Sequence, residues 1–280
     1  MNRRKFIGQT AVGVGAMLLV PKLLKAGEVS KVKHPIGFQT YPIRDMVSKD
    51  FAGTMKTMAG MGYQYTEMCY PKGYDDFKSL AGIAPSDLKK MIEDAGLTCP
   101  SCHFGMGNLK NNFGECMEFA HALGMTQIVT PGLDNPGKTI DDYKQACGEL
   151  NKIAGQVKAE GMATGLHNHE GEFKMLEGQL IYDAIMSALD GELVKMQFQT
   201  EVIKLGYKAS TYFEKYPGRF ISAHLSDWTA DGKQVPVGQG MINWKEFFAA
   251  AKKTGVKNYF VEMDFDTYKD SAAYIHSLLG

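Results

Sequence analysis

The chain has 280 residues, 44% of them hydrophobic, and a formal charge of zero, with 31 bases against 31 acids. That length supplies a full core for one domain, and the even charge, with no basic stripe along the chain, argues against nucleic-acid binding. Five cysteines (Cys69, Cys99, Cys102, Cys116 and Cys147) are an odd count and make no disulfide framework for a domain of this size.

The first 33 residues stand apart. Arg3 and Arg4 precede Phe6 and Ile7, and an apolar stretch runs from Thr10 to Val20. A bilayer span takes about 20 residues, so this stretch is too short for one. It reads as a twin-arginine export signal over residues 1–26, ending near Ala26, with 27–33 as a short lead. The expected compartment is the periplasm, with a membrane tether only if the signal stays uncleaved. Residues 1–26 hold five bases and no acid. Their removal leaves 26 bases against 31 acids, a net charge of −5 and a poor surface for nucleic acid.

From His34 to the end there are 247 residues, and an eight-stranded α/β barrel typically needs about 250. The run IGFQTY opens this span. Helical periodicity follows in FAGTMKTMAGM, which sets Phe51, Met55, Met58 and Met61 on one face. The chain then alternates. Helix-like stretches end at Gly62, Gly96, Gly124, Gly161, Gly191, Gly218 and Gly255, and β-rich runs follow: YQYTEM, LTCPSCHF, TQIVTP, ATGLHNH, VKMQFQTE, RFISAHLSD and KNYFVEMD. Glycine suits the left-handed residue just past a helix. Further helices are read from Pro85, from Thr139 and from Asn243, the last turning Phe247, Phe248 and Ala251 inward. Eight strand–helix units predict a single-domain (β/α)8 TIM barrel over 34–280. A doubly wound open sheet fits less well, because no glycine-rich phosphate loop opens any helix.

Most runs end on a residue that can bind a metal or move a proton: Glu67, His103, His167, Gln199, His224 and Glu262. Cys99-Pro-Ser-Cys102-His103 also matches the c-type haem attachment pattern. Alternation along a strand would point its two cysteines to opposite faces, so they are read as packing residues, with His103 at the barrel mouth. By the same alternation His167 and His169 share a face, as do Gln197, Gln199 and Glu201, as do Ser222, His224 and Ser226, and as do Phe260, Glu262 and Asp264. Four late strands thereby bring His167, Gln199, His224 and Glu262 to one end, a workable donor set for one divalent transition metal.

The runs IGFQTYPIRD, GYQYTEM, GLHNHEGEF, GRFISAHLSDW, VPVGQG and NYFVEMD together resemble the xylose isomerase-like TIM barrel superfamily, the sugar phosphate isomerases/epimerases. The resemblance covers essentially everything after His34. It implies a metal at the barrel mouth and proton abstraction beside a sugar carbonyl through an enediolate. Carried over by position, His224 and Glu262 are the ligands on the seventh and eighth strands. The usual glutamate of the fifth strand is replaced by His167, and the usual aspartate of the sixth by Gln199, with Glu201 close in register. Two anionic ligands thus become neutral, which favours Mn, Zn, Co or Fe over Mg.

Only Glu262 then remains of the glutamate pair that can serve as acid and base in such epimerases. His169, Glu172 and Glu67 are candidates for the second base. Tyr41 and Trp228 offer faces for a pyranose, and Gln39, Arg44, His103 and Asp227 offer groups for hydroxyls; Arg44 and Asp227 could equally pair with each other. No cluster of Lys or Arg that would grip a phosphate stands out, so the expected substrate is an unphosphorylated keto sugar or glycoside. The leading expectation is an isomerase or epimerase acting by enolisation. The alternatives are a 3-keto-glycoside lyase, in which the same enolate expels the aglycone, and a non-catalytic sugar-binding barrel. A DNA-repair endonuclease, also of this superfamily, is disfavoured by the acidic mature charge. Oligomeric state is not legible.

Overall fold

The computed structural model describes residues 34–134 and 136–280; the segment read as an export signal lies outside them. Eight parallel strands close into one barrel: β1 (Gly37–Gln39), β2 (Tyr65–Cys69), β3 (Thr98–His103), β4 (Gln127–Thr130), β5 (Ala163–His167), β6 (Val194–Gln199), β7 (Phe220–Leu225) and β8 (Asn258–Val261). Each pairs with its sequence neighbours, and β8 closes on β1 through Gly37↔Phe260 and Phe38↔Val261. Helices cover the outside, as a TIM barrel requires. Among the described residues no helix is long and apolar enough to cross a membrane.

The helices form where the apolar spacing places them. Phe51–Gly60 starts at Asp50, whose side chain accepts from Gly53 N, and it buries Phe51, Met55 and Met58. The longest, Ile140–Ala159, opens on a capping box between Thr139 and Asp142. Trp244–Thr254 is capped by Asn243 and buries Phe247, Phe248 and Ala251. Six of the seven joint glycines have the positive φ that ends a helix; Gly191 does not. The helix before it stops at Ala188. Gly191 is needed for space instead, since a Cβ there would lie 2.8 Å from Arg219 Nε.

Two short hairpins sit in loops at the C-terminal end of the barrel. Met175–Leu176 pairs with Gln179–Leu180 after β5, and Asp227–Trp228 pairs with Gln234–Val235 after β7.

The barrel interior is unusually polar. Such interiors are ordinarily filled by branched apolar residues. Here Gln39, Glu67, Ser101, Gln127, Gln197 and Ser222 are all fully or almost fully buried, and they satisfy one another. Asn258 Nδ2 donates to Gln127 Oε1 (2.8 Å), Gln127 Nε2 to Ser101 Oγ (3.0 Å), and Gln197 Nε2 to Ser222 Oγ (3.0 Å). Phe260 fills the space that remains, and Gly37 makes room for it: a Cβ on Gly37 would lie 2.4 Å from the Phe260 ring.

Candidate active site

His103 ends β3, His167 ends β5, and His224 lies one residue before the end of β7. Their shared inward parity brings the three imidazoles together at the C-terminal end of the barrel. A nitrogen of each lies within 4.8 Å of one from each of the others, and all three residues are buried. The His103 and His224 rings are parallel at 5.3 Å, and the His167 and His224 centroids are 4.5 Å apart.

His224 is held at both nitrogens by carboxylates. Nε2 meets Glu67 Oε2 at 2.5 Å, and Nδ1 meets Glu262 Oε2 at 2.8 Å. Burial acts to lower its pKa, but the two flanking carboxylates overturn that and push it up to about 10. Facing two carboxylate oxygens, both nitrogens carry protons in this arrangement. His167 is the opposite case. Burial, then the neighbouring His224, His169 and His103, hold its pKa well below the usual value, and its Nδ1 is buried without a hydrogen-bond partner. A neutral buried imidazole with an unpartnered nitrogen beside two other imidazoles fits a transition metal. The donor set is that of Zn, Mn, Co or Fe, not the oxygen cage of Mg or Ca.

Glu262 follows β8 directly, and its side chain is 17% exposed where those of His224 and Glu67 are 0%. It is thus the carboxylate of this cluster that reaches the mouth. Burial would raise its pKa, but His224 overturns this and keeps it below the usual carboxylate value. Gln199, expected as a metal ligand, turns its amide nitrogen to Glu262 Oε2 at 2.5 Å. Its oxygen accepts from Glu201 N and Ser226 Oγ, each at 3.4 Å. In this arrangement Gln199 orients Glu262, and the third imidazole of the cluster is His103, expected among the substrate contacts. Glu201 is paired with Lys204 on the 3₁₀ turn Thr200–Leu205 that follows β6.

Glu67, expected as a possible base at the mouth, is placed elsewhere. It is the third of the five residues of β2, so it sits deeper than the strand ends that carry the histidines. Ser101 Oγ (2.5 Å) and Gln197 Nε2 (2.8 Å) donate to Oε1; Gln39 Nε2 (2.9 Å) and His224 donate to Oε2. Burial would raise its pKa, but His103 and His224 hold it well below the carboxylate range. A fully buried carboxylate that binds protons weakly and has four donors cannot collect a proton from a substrate at the mouth.

Two expected substrate contacts are likewise committed elsewhere. Gln39 binds Glu67 at one end and accepts from Thr40 N (2.6 Å) and Tyr41 N (3.2 Å) at the other. Asp227 is fully buried and takes five donors: Trp228 N, Gly238 N, Gly240 N, Ile242 N and Trp244 Nε1. It anchors the loop after β7 and does not meet Arg44, whose partner is Asp76 at 3.6 Å.

The remaining candidates lie on the rim. Arg44 covers the Tyr41 ring at 4.7 Å, and Lys204 covers Trp228 at 4.1 Å while pairing with Glu170 and Glu201. His169 is exposed, with its ring 4.8 Å from that of His167, and its backbone N–H donates to Glu172 Oε2 at 2.7 Å. Cys99 and Cys102 are buried in the core, and burial pushes the Cys99 thiol up to about 12 and that of Cys102 well above its usual value. They are packing residues, not attachment points for a haem.

A closed parallel barrel with a histidine cluster and a carboxylate at its C-terminal mouth defines the class. The sequence agrees: the model of the xylose isomerase-like TIM barrel family matches residues 55–278, and the chain belongs to that family. Among solved structures it is similar to a sugar phosphate isomerase/epimerase from Parabacteroides distasonis, at 23% identity and a TM-score of 0.78, over 90% of this chain and 98% of that one. A second sugar phosphate isomerase/epimerase from the same organism is 27% identical, with a TM-score of 0.72 over 86% and 97%. An L-ribulose 3-epimerase shares the fold at 15% identity and a TM-score of 0.66, over 88% and 94%. No curated protein gives a significant match.

Proposed function

We propose that this chain is a metal-dependent sugar isomerase or epimerase that enolises an unphosphorylated keto sugar at the barrel mouth. The observation that carries the reading is the buried His103–His167–His224 cluster with Glu262 beside it. The structural neighbours named isomerases and epimerases support the class. His103, His167 and His224 would hold one divalent ion, Mn, Zn, Co or Fe rather than Mg. When bound, such an ion supplies polarisation of a sugar carbonyl.

The chain's own groups perform the rest. Glu262, ionised and partly exposed, takes the proton from the carbon beside the carbonyl, and Gln199 Nε2 holds the carboxylate in place. His169 and Glu172, adjacent on the rim, are the groups able to deliver a proton from another direction. Tyr41 and Trp228 provide apolar faces for the ring. Arg44 and Lys204 are each paired with acids, which fits a substrate without phosphate. The N-terminal twin-arginine pattern supports a periplasmic location.

A lyase acting on 3-keto-glycosides is the second reading. With Glu67 sequestered, Glu262 is the one carboxylate of the cluster with access to the mouth; β-elimination needs one base to take the C2 proton, the C1–O bond then breaking to release the aglycone, where epimerisation needs a second group to return a proton to the opposite face. The test combines elemental analysis of the purified protein with incubation in D2O. About one metal equivalent and deuterium uptake beside the carbonyl of a keto sugar support enolisation. Aglycone release from a 3-keto-glucoside selects the lyase. Sugar binding with no metal, even after reconstitution with Mn²⁺, Zn²⁺ or Co²⁺, leaves the non-catalytic barrel.

A further inference from the structure

We infer that Glu67 is a positioning residue that keeps the Nε2 protons of His224 and His103 in place and so leaves Nδ1 as the nitrogen each can offer to a metal; this rests on the metal-site reading above. His224 is bonded directly, Nε2–H to Glu67 Oε2. His103 is reached through Gln197. The Gln197 amide nitrogen donates to Glu67 Oε1 (2.8 Å) and Ser222 Oγ (3.0 Å), which turns its oxygen to His103 Nε2 at 2.8 Å. His103 must therefore carry its proton on Nε2. His103 Nε2 is also 3.4 Å from Glu67 Oε2.

The arrangement cannot easily reverse, because every neighbour of the carboxylate is a committed donor. Gln39 Nε2 points at Oε2, and its own orientation is fixed by Thr40 N and Tyr41 N on its oxygen. Gln197 points its amide nitrogen at Oε1, and only Ser101 can rotate its hydroxyl. Carboxylate-to-histidine contacts of this kind orient metal ligands, and their loss typically costs about 10–100-fold in metal affinity.

Glu67→Gln isolates the effect because it preserves volume. If its amide nitrogen replaces Oε2, it donates to His224 Nε2 and moves that ring's proton to Nδ1. If it replaces Oε1, it opposes the Gln197 amide nitrogen; turning Gln197 over then aims an N–H at His103 Nε2. Either placement reverses one imidazole. Ser101→Ala removes a Glu67 partner without reversing any ring, and so reports on loosening of the network alone.

The experiment is competition binding of Zn²⁺ against a chromophoric chelator for the full chain and both variants, with ring-nitrogen NMR of ¹⁵N-histidine-labelled parent protein loaded with ¹¹³Cd²⁺. Expected are a loss of about 10–100-fold for Glu67→Gln, little change for Ser101→Ala, and ¹¹³Cd coupling to His224 Nδ1 with the Nε2 proton retained. Equal losses in both variants, or coupling at His224 Nε2, overturn the inference while leaving the metal site intact. Failure of the parent to bind either ion overturns both readings. Should Glu67→Gln not fold, the cadmium spectrum of the parent decides alone.

Discussion

Asp227 separates a loop anchor from a substrate ligand, and Asp227→Asn tests which it is. The two oxygens divide five donors: Oδ2 accepts from Gly238 N (2.9 Å), Gly240 N (3.0 Å) and Trp244 Nε1 (2.8 Å), and Oδ1 from Trp228 N (3.0 Å) and Ile242 N (3.3 Å). Asparagine has the same shape but one acceptor oxygen. Its better orientation keeps the three donors at the Oδ2 position and turns an NH2 group toward Trp228 N and Ile242 N. Two N–H groups then lose their partner, at about 1–3 kcal/mol each. Part of this is offset because a charge is no longer buried, so the expected loss is about 3 kcal/mol. Urea unfolding should show a lower midpoint at an unchanged slope. A variant within about 0.5 kcal/mol of the parent, the range of an ordinary surface change, but with a raised KM for sugar, would refute the anchor and restore Asp227 to the substrate.

Three further outcomes are expected. His103→Ala should abolish stoichiometric metal while Gln199→Ala retains it, by elemental analysis; the reverse result would return the site to the ligand set read from the late strands. Gly37→Ala should lower stability by about 1–3 kcal/mol through overpacking against Phe260 and be relieved by Phe260→Leu, as read by thermal melting; an additive double variant would argue against the clash. In chelated protein, the His224 contribution is complete below its unfolded pKa of about 6.5 and is lost as pH rises toward about 10, whereas those of Glu67 and Glu262, both held low, are present above about 4.3 and lost in acid. A melting midpoint that climbs steadily from pH 7 to about 9.5 would contradict the charged triad.

Much of the barrel is legible because its signals are local. Period-2 runs after the seven joint glycines, six of them with positive φ, set seven of the strands, and β1 follows from its place before the first helix. Gly191 marks the limit of that logic. It occupies a joint by sequence, but its neighbour Arg219, far away in the chain, is what requires the glycine. The Asp227–Trp228 hairpin escaped for a related reason. The run RFISAHLSD reads as one strand through Asp227, whereas the strand ends at Leu225 and the chain then pairs locally with Gln234–Val235. That pairing converts Asp227 from a rim residue into a buried acceptor.

The site was legible in parity but not in depth. Alternation correctly puts Glu67, His103, His167, Gln199, His224 and Glu262 inside the barrel, yet it treats all of them as lining one mouth. Depth depends on where each strand ends and on the stagger between strands, and neither can be read from one strand at a time. Two residues of further pleat beyond Glu67, to Cys69, are enough to move it from the mouth into the barrel interior. There it meets Gln39, expected among the substrate contacts, and Ser101 and Gln197, which no metal or substrate argument required. Once the depth is known, their presence has a physical reason. A buried carboxylate is costly unless its lone pairs are satisfied, and each of these side chains supplies one donor. The polar interior and the histidine cluster are therefore a single construction: the lower donors satisfy the Glu67 oxygens, His103 and His224 keep it ionised, and Glu67 in turn holds the imidazole of His224 that Glu262 meets from the mouth.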